Sequence, residues 1–195
     1  MRRAVRNTAD LVRDHIEGLN WRYHAVMVTP TYRDPDAWSA RHMSDLTDRI
    51  SKWAKRGDFK IFYVWVAELT KAGRVHYHLV VWLPTAEKLP KADDRGWWPH
   101  GMTRTEACRN GPGYLMKYLS KGDDGQSFPK GLRLHGRGGL TPGMRLIVGW
   151  WLLPRYVREH FTLMTSKIRR KKGGGWEDIW TGEWLPSWTP DSAPS

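Results

Sequence analysis

The chain has 195 residues, enough to bury one sizeable core, and its 32 Lys and Arg against 20 Asp and Glu leave a formal net charge of +12. That surplus points to a polyanionic partner such as DNA, RNA or an anionic surface, and 13 Trp residues offer faces for unpaired bases as well as bulk for a core. A single cysteine, Cys108, excludes a disulfide framework or a thiolate metal site and fits a reducing compartment.

Residues 1–20 alternate charges with Leu11, Val12, Ile16 and Leu19, which suits a short amphipathic helix. No apolar stretch follows the basic start, so a secretory signal is not expected. Residues 22–32, RYHAVMVTPTY, read as a strand ending at Pro30. Asp34 as N-cap and Pro35 at the first helical position then predict a helix over about 35–56. Its apolar stripe is Met43, Leu46, Ile50 and Trp53, and Gly57 provides the stop.

The β signal is clearest in residues 60–69, KIFYVWVAEL, and 74–83, RVHYHLVVWL. Rich in β-branched and aromatic residues, they flank Lys71-Ala72-Gly73 as a hairpin would. Residues 84–110 are polar, with a Trp97-Trp98-Pro99 patch, and read as an irregular connection. Gly111-Pro112-Gly113 opens a short helix, YLMKYLSK, that closes near Gly122. A strand around Leu132 to His135 follows, then a helical stretch over 141–162 broken at Pro154. The longest apolar run, Leu146 to Leu153, falls well short of the roughly 20 residues that span a bilayer, so a cytoplasmic protein without a membrane partner is expected. Residues 1–165 read as one domain. The basic, Trp- and Pro-containing residues 166–195 read as an appendage whose composition suits disorder.

His76 and His78 are two apart in a strand and so share a face, with Tyr77 pointing the other way. If Lys71 to Gly73 form a three-residue loop, Thr70 pairs with Arg74 and Glu68 stands directly opposite His76. A two-residue turn would instead set Glu68 against Tyr77, on the wrong face. Gly73 in the third loop position favours the first register. Two imidazoles and one carboxylate leave coordination positions open, as a catalytic ion requires. The mixed set suits Mn²⁺ or Zn²⁺, and Mg²⁺ where a substrate phosphate completes the shell.

Tyr114 and Tyr118 are four apart, on one face of the short helix, and Lys117 and Lys121 repeat the same spacing. A phenol is a poor nucleophile near neutral pH unless a cation or base assists, and a lysine one turn away can stabilise the phenolate or hold the phosphate it attacks.

The His-hydrophobic-His strand, a Glu on its hairpin partner and a following Tyr-x-x-Lys helix together resemble the HUH endonuclease superfamily of rolling-circle replication initiators. The doubled tyrosine of YLMKYLSK is similar to replication proteins of single-stranded DNA phages, filamentous ones included. The strand VMVTPTY resembles the first motif of these proteins, and the likeness covers roughly residues 22–135. It implies an α+β fold, a central antiparallel sheet flanked by helices, with an ion on the sheet and the tyrosine helix packed over it. It also implies nicking of single-stranded or hairpin origin DNA through a 5′-phosphotyrosyl intermediate, leaving a 3′-hydroxyl for a polymerase. Either tyrosine, or both in alternation, could serve.

Arg133 and Arg137 near the expected sheet edge are candidate contacts to the DNA backbone, with Lys167, Arg169, Arg170 and Lys171 adding sequence-independent affinity. No Gly-rich phosphate loop ending in Lys-Ser or Lys-Thr occurs, so unwinding would fall to a host helicase. Rival readings are a transposase or plasmid relaxase using the same chemistry, and a DNA-binding regulator without catalysis.

Overall fold

The computed structural model describes residues 2–19, 22–34, 36–70, 72–119 and 128–187. The chain divides into two compact units, Met1–Leu140 and Thr141–Ser195.

In the first unit the order is α1 (Arg2–Glu17), β1 (Tyr23–Pro30), α2 (His42–Arg56), β2 (Phe62–Leu69), β3 (Val75–Pro84), β4 (Thr103–Ala107), α3 (Gly111–Leu119) and β5 (His135–Gly138). The strands form one antiparallel sheet in the order β4-β1-β3-β2-β5. This is an α+β fold, a central antiparallel sheet flanked by helices. Nearly every residue of β2 and β3 is buried, as expected of inner strands covered on both faces.

Alternation along the strands sorts the core into two halves. Val26, Val28, Trp65, Ala67, Tyr77, Leu79, Val81 and Leu83 face one side, where they pack with Met43, Leu46, Ile50 and Ala54 of α2 and with Trp98 from the β3–β4 connection. Tyr77 is 2% exposed and accepts a 2.7 Å hydrogen bond from Trp38 Nε1. The opposite face, carrying Met27, Phe62, Val64, Val66, Val80 and Trp82, is covered by α1 and α3. Val5, Ala9 and Val12 of α1 and Leu115 of α3 are fully buried there.

The β2–β3 hairpin has the three-residue loop. Thr70 N–H donates to Arg74 O at 2.9 Å, and Gly73 takes φ 74°, a left-handed value that suits glycine. The register follows as Leu69↔Val75, Glu68↔His76, Ala67↔Tyr77.

Three boundaries differ from the sequence expectation. The helix expected from about 35 begins only at His42. Asp34 instead closes an Asx turn, its Oδ1 accepting from Asp36 N–H at 2.9 Å, so the capping chemistry is spent on a turn. Pro35, expected at the helix start, lies outside the described residues. The stretch expected to be irregular contains β4, an edge strand whose pattern Thr-Arg-Thr-Glu-Ala lacks apolar alternation. The last strand of the unit lies at His135–Gly138, just beyond the expected segment.

The second unit holds α4 (Pro142–Trp151), α5 (Arg155–His160), β6 (Ile168–Arg170), β7 (Trp176–Asp178) and β8 (Trp184–Leu185), the strands forming a three-stranded sheet in sequence order. Thr141 caps α4 by accepting from Met144 N–H at 3.2 Å, with Pro142 at the helix start. Pro154 separates the two helices as expected. Val157, Phe161 and Leu185 form a small core with Trp150, Tyr156 and Trp176 around it. Residues 167–187, expected as part of a disordered appendage from 166, are therefore ordered by a sheet, and the division of the chain falls at 140/141. The buried Asp178 carboxylate organises that sheet, accepting from Lys167 N–H at 2.9 Å and Trp180 N–H at 3.1 Å. Among the described residues no helix is long and apolar enough to cross a membrane.

Candidate metal centre and tyrosine helix

The polar end of the α1/α3 face is built by the hairpin register. Glu68 of β2 stands opposite His76 of β3, and His78 lies two residues on, so all three project to one side. One ligand atom from each lies within 4.8 Å of the others. Two atoms each about 2.1 Å from a shared ion are separated by slightly less, so small side-chain adjustments suffice. His78 is 4% exposed and Glu68 9%, and Glu68 Oε2 lies 2.7 Å from His78 Nε2. That contact is what two ligands make when a shared proton takes the place of the ion. The chemistry of the donors therefore fits a divalent cation: one negative oxygen and two imidazole nitrogens, partly withdrawn from water. Burial, opposed by the Glu68 carboxylate, holds His76 below the ordinary imidazole value and so keeps it neutral, the form that can donate a lone pair.

Helix α3 lies over this end of the sheet because its start can approach closely. Gly111 sits against β3, where an added Cβ would come within 2.7 Å of Trp82 Cζ2. Asn110 caps the helix, its Oδ1 accepting from Gly113 N–H at 2.9 Å. From there the helix reaches the metal cluster two turns later. The Tyr118 ring stacks on His78 with centroids 3.3 Å apart and planes 13° apart, and the Tyr114 ring lies 5.4 Å from that of Tyr118. Lys117 Nζ sits 5.9 Å from the centroids of both tyrosines.

Electrostatics at Tyr118 work against ionisation in the protein alone. Burial, then a hydrogen bond and the charge of Tyr114, then the carboxylates of Glu68 and Glu106, push its phenol well above the ordinary value. Glu106 is not singled out by the sequence. It lies on β4 opposite Met27 and pairs with Arg104 at 2.7 Å. Its strand has no recognisable alternation, so no signal marks it.

The other candidate residues are dispersed. Lys121 lies outside the described residues. Arg137 is on β5, half-buried, and Arg133 is exposed just before that strand. Lys167, Arg169, Arg170 and Lys171 belong to the sheet of the second unit. There Arg169 and Lys171 both pair with Glu177, at 2.7 Å and 3.4 Å, which occupies them in holding β6 to β7. Arg170 remains exposed.

Residues 25–123 match a family model, that of the replication-associated proteins of the ORF2 and gene II protein type. The match begins in β1, takes in the whole hairpin with Glu68, His76 and His78, and covers both tyrosines. No curated protein and no solved structure matches the chain.

Proposed function

This chain belongs to the replication-associated protein family of the ORF2 and gene II protein type, and from that premise we propose that it initiates rolling-circle replication as a metal-dependent nickase and strand transferase of the HUH type. The observation that carries the reading is Tyr118 stacked at 3.3 Å on His78, one of three would-be ligands on the sheet beneath it. The likeness to the initiators of single-stranded DNA phages belongs to the same proposal.

Glu68, His76 and His78 would hold Mn²⁺ or Mg²⁺, which when bound offsets negative charge on the scissile phosphate and on the oxygens that exchange there. The protein's own part is positioning and charge. A tyrosine oxygen attacks in line: its bond to phosphorus forms, the bond from phosphorus to the 3′ oxygen breaks, the phenol proton departs, and the leaving oxygen takes one up. The 5′ end is then esterified to the enzyme and a 3′-hydroxyl is free for a polymerase. The reverse transfer rejoins strands. Lys117, equidistant from the two rings, supplies the positive charge that a phenolate beside Glu68 and Glu106 needs. Tyr118 is poised first, because it alone stacks on a ligand, and Tyr114 is near enough to serve as the second acceptor. The substrate is single-stranded or hairpin origin DNA in the cytoplasm, with host helicase and polymerase as partners.

The test is incubation with a labelled single strand carrying the origin of the source replicon, with Mn²⁺ or Mg²⁺. A covalent protein–DNA adduct is expected that survives boiling in detergent and disappears in the Tyr114→Phe/Tyr118→Phe double variant. An adduct that persists in the double variant, or none with any origin from the replicon, overturns the reading. The second of these results favours a regulator that binds without cutting.

A further inference from the structure

The edge strand β5 reads His-Gly-Arg-Gly, and alternation sends its side chains to opposite faces. Gly136 and Gly138 stand opposite Trp65 and Tyr63. An added Cβ at either position would collide with those rings, so this side of the edge is closed by aromatics. His135 and Arg137 stand opposite Val66 and Val64, and so share the face that carries Glu68, His76 and His78. The β2–β5 pairing continues through a 2.8 Å bond from Ala67 N–H to Leu134 O, which brings the chain at Arg133 alongside the end of β2 that holds Glu68.

These cations are arranged without counter-charges. Among the described residues no carboxylate pairs with Arg133 or Arg137, and Arg137 is half-buried. Burial, then Arg133, lowers the Arg137 guanidinium below its ordinary value. Burial, then Arg137 and Arg133, holds His135 below the usual imidazole value, leaving it a neutral donor. A half-buried guanidinium next to a like charge, with no partner, is unfavourable in the free protein. It becomes favourable when an anion arrives. Residues two apart on a strand are about 7 Å apart, close to the spacing of successive phosphates along an extended single strand.

We propose that β5 is a phosphate track beside the cleavage centre: Arg133, His135 and Arg137 each take one phosphate of an extended single-stranded DNA backbone as it leaves Glu68, His76 and His78. The placement of the reacting phosphate rests on the nickase reading above. The track itself rests on the edge strand.

The test separates the two. Binding of a short fluorescein-labelled oligo-dT strand is followed by anisotropy in EDTA at several KCl concentrations, and adduct formation is assayed separately with Mn²⁺ and origin DNA. Arg133→Gln and Arg137→Gln should each weaken oligo-dT binding about three- to tenfold and flatten the log–log salt slope by about 0.7, the loss of one single-strand phosphate contact. His135→Gln should weaken binding with the slope unchanged, and Arg137→Lys should keep the slope. Thermal unfolding of Arg137→Gln should stay level or move upward, since a structural arginine would lower it. If Arg137→Gln fails to fold, the exposed Arg133 gives the same readout. Unchanged affinity and slope in folded variants that still form the adduct overturn the track and leave the nickase standing. Weakened binding with no adduct in the parent protein supports the track and removes the nickase.

Discussion

The two faces of the central sheet are made from the same two strands and obey different rules. Beneath α2, the side chains from Leu69 to Leu83 are apolar from end to end, and a single aromatic hydroxyl, Tyr77, is matched by Trp38. Beneath α1 and α3 the row starts equally apolar, with Phe62, Val64, Val80 and Trp82, then turns to Glu68, His76 and His78. Burying a carboxylate and two imidazoles costs stability that aliphatic side chains would have supplied. The first face explains why the sheet forms. The second explains what it is kept for.

Neighbouring residues on β3 offer the sharpest way to break that contrast. His76→Ala should abolish detectable adduct formation, a loss of at least about 1,000-fold, while oligo-dT binding changes little and the melting temperature hardly moves. Tyr77→Ala, one residue along, should do the reverse and cost about 3–5 kcal/mol in denaturant unfolding. If His76→Ala unfolds the protein while Tyr77→Ala is tolerated, the division of labour between the faces is wrong. Next in size is Tyr118→Phe, which should lower the first cleavage about 100-fold or more, whereas Tyr114→Phe should leave it within about tenfold and impair the second transfer. Single-turnover cleavage of the labelled strand reads both, and equal losses would remove the distinction drawn from the ring stacking.

The smallest expected effect belongs to the α2 face. His42 and His100 stack at 3.5 Å there, and burial holds both below the ordinary imidazole value. Their unfolded forms take up protons first, so the stability they support is complete above the ordinary imidazole range and is lost as pH falls through their depressed values. Melting curves between neutral pH and mildly acidic pH should show a modest decline, reduced in a His42→Gln/His100→Gln variant. An identical decline in that variant would place the pH response elsewhere.

Much of this is legible because β2 and β3 carry strong, regular patterns. The three-residue loop sets Glu68 opposite His76, a register that one residue of slippage would destroy. The proximity of Tyr118 to His78 follows from helix spacing only in part. The four-residue interval gives the shared face of the tyrosines, but not which of them reaches a ligand, since that depends on how closely Gly111 lets α3 approach Trp82. β4 and the cationic face of β5 are hidden for opposite reasons. β4 is polar because it is an edge, and β5 is glycine-rich because Trp65 and Tyr63 lie across it. The start of α2 misleads because an aspartate in an Asx turn, here Asp34, carries the same signature as one at a helix start. The strands of the second unit are two or three residues long, below the length at which any alternation can be read.

The cationic edge also bears on how copies of this protein behave when crowded. β5 ends the sheet and leaves one side of its backbone without a strand partner, an arrangement through which sheets can join edge to edge and aggregate. Four residues, two glycines and repelling cations make it a poor template for another copy. Replacing Arg133 and Arg137 with apolar residues would therefore remove more than a grip on DNA. It would turn a self-repelling border into an adhesive one, and colloidal stability at high concentration should fall even where the fold itself survives.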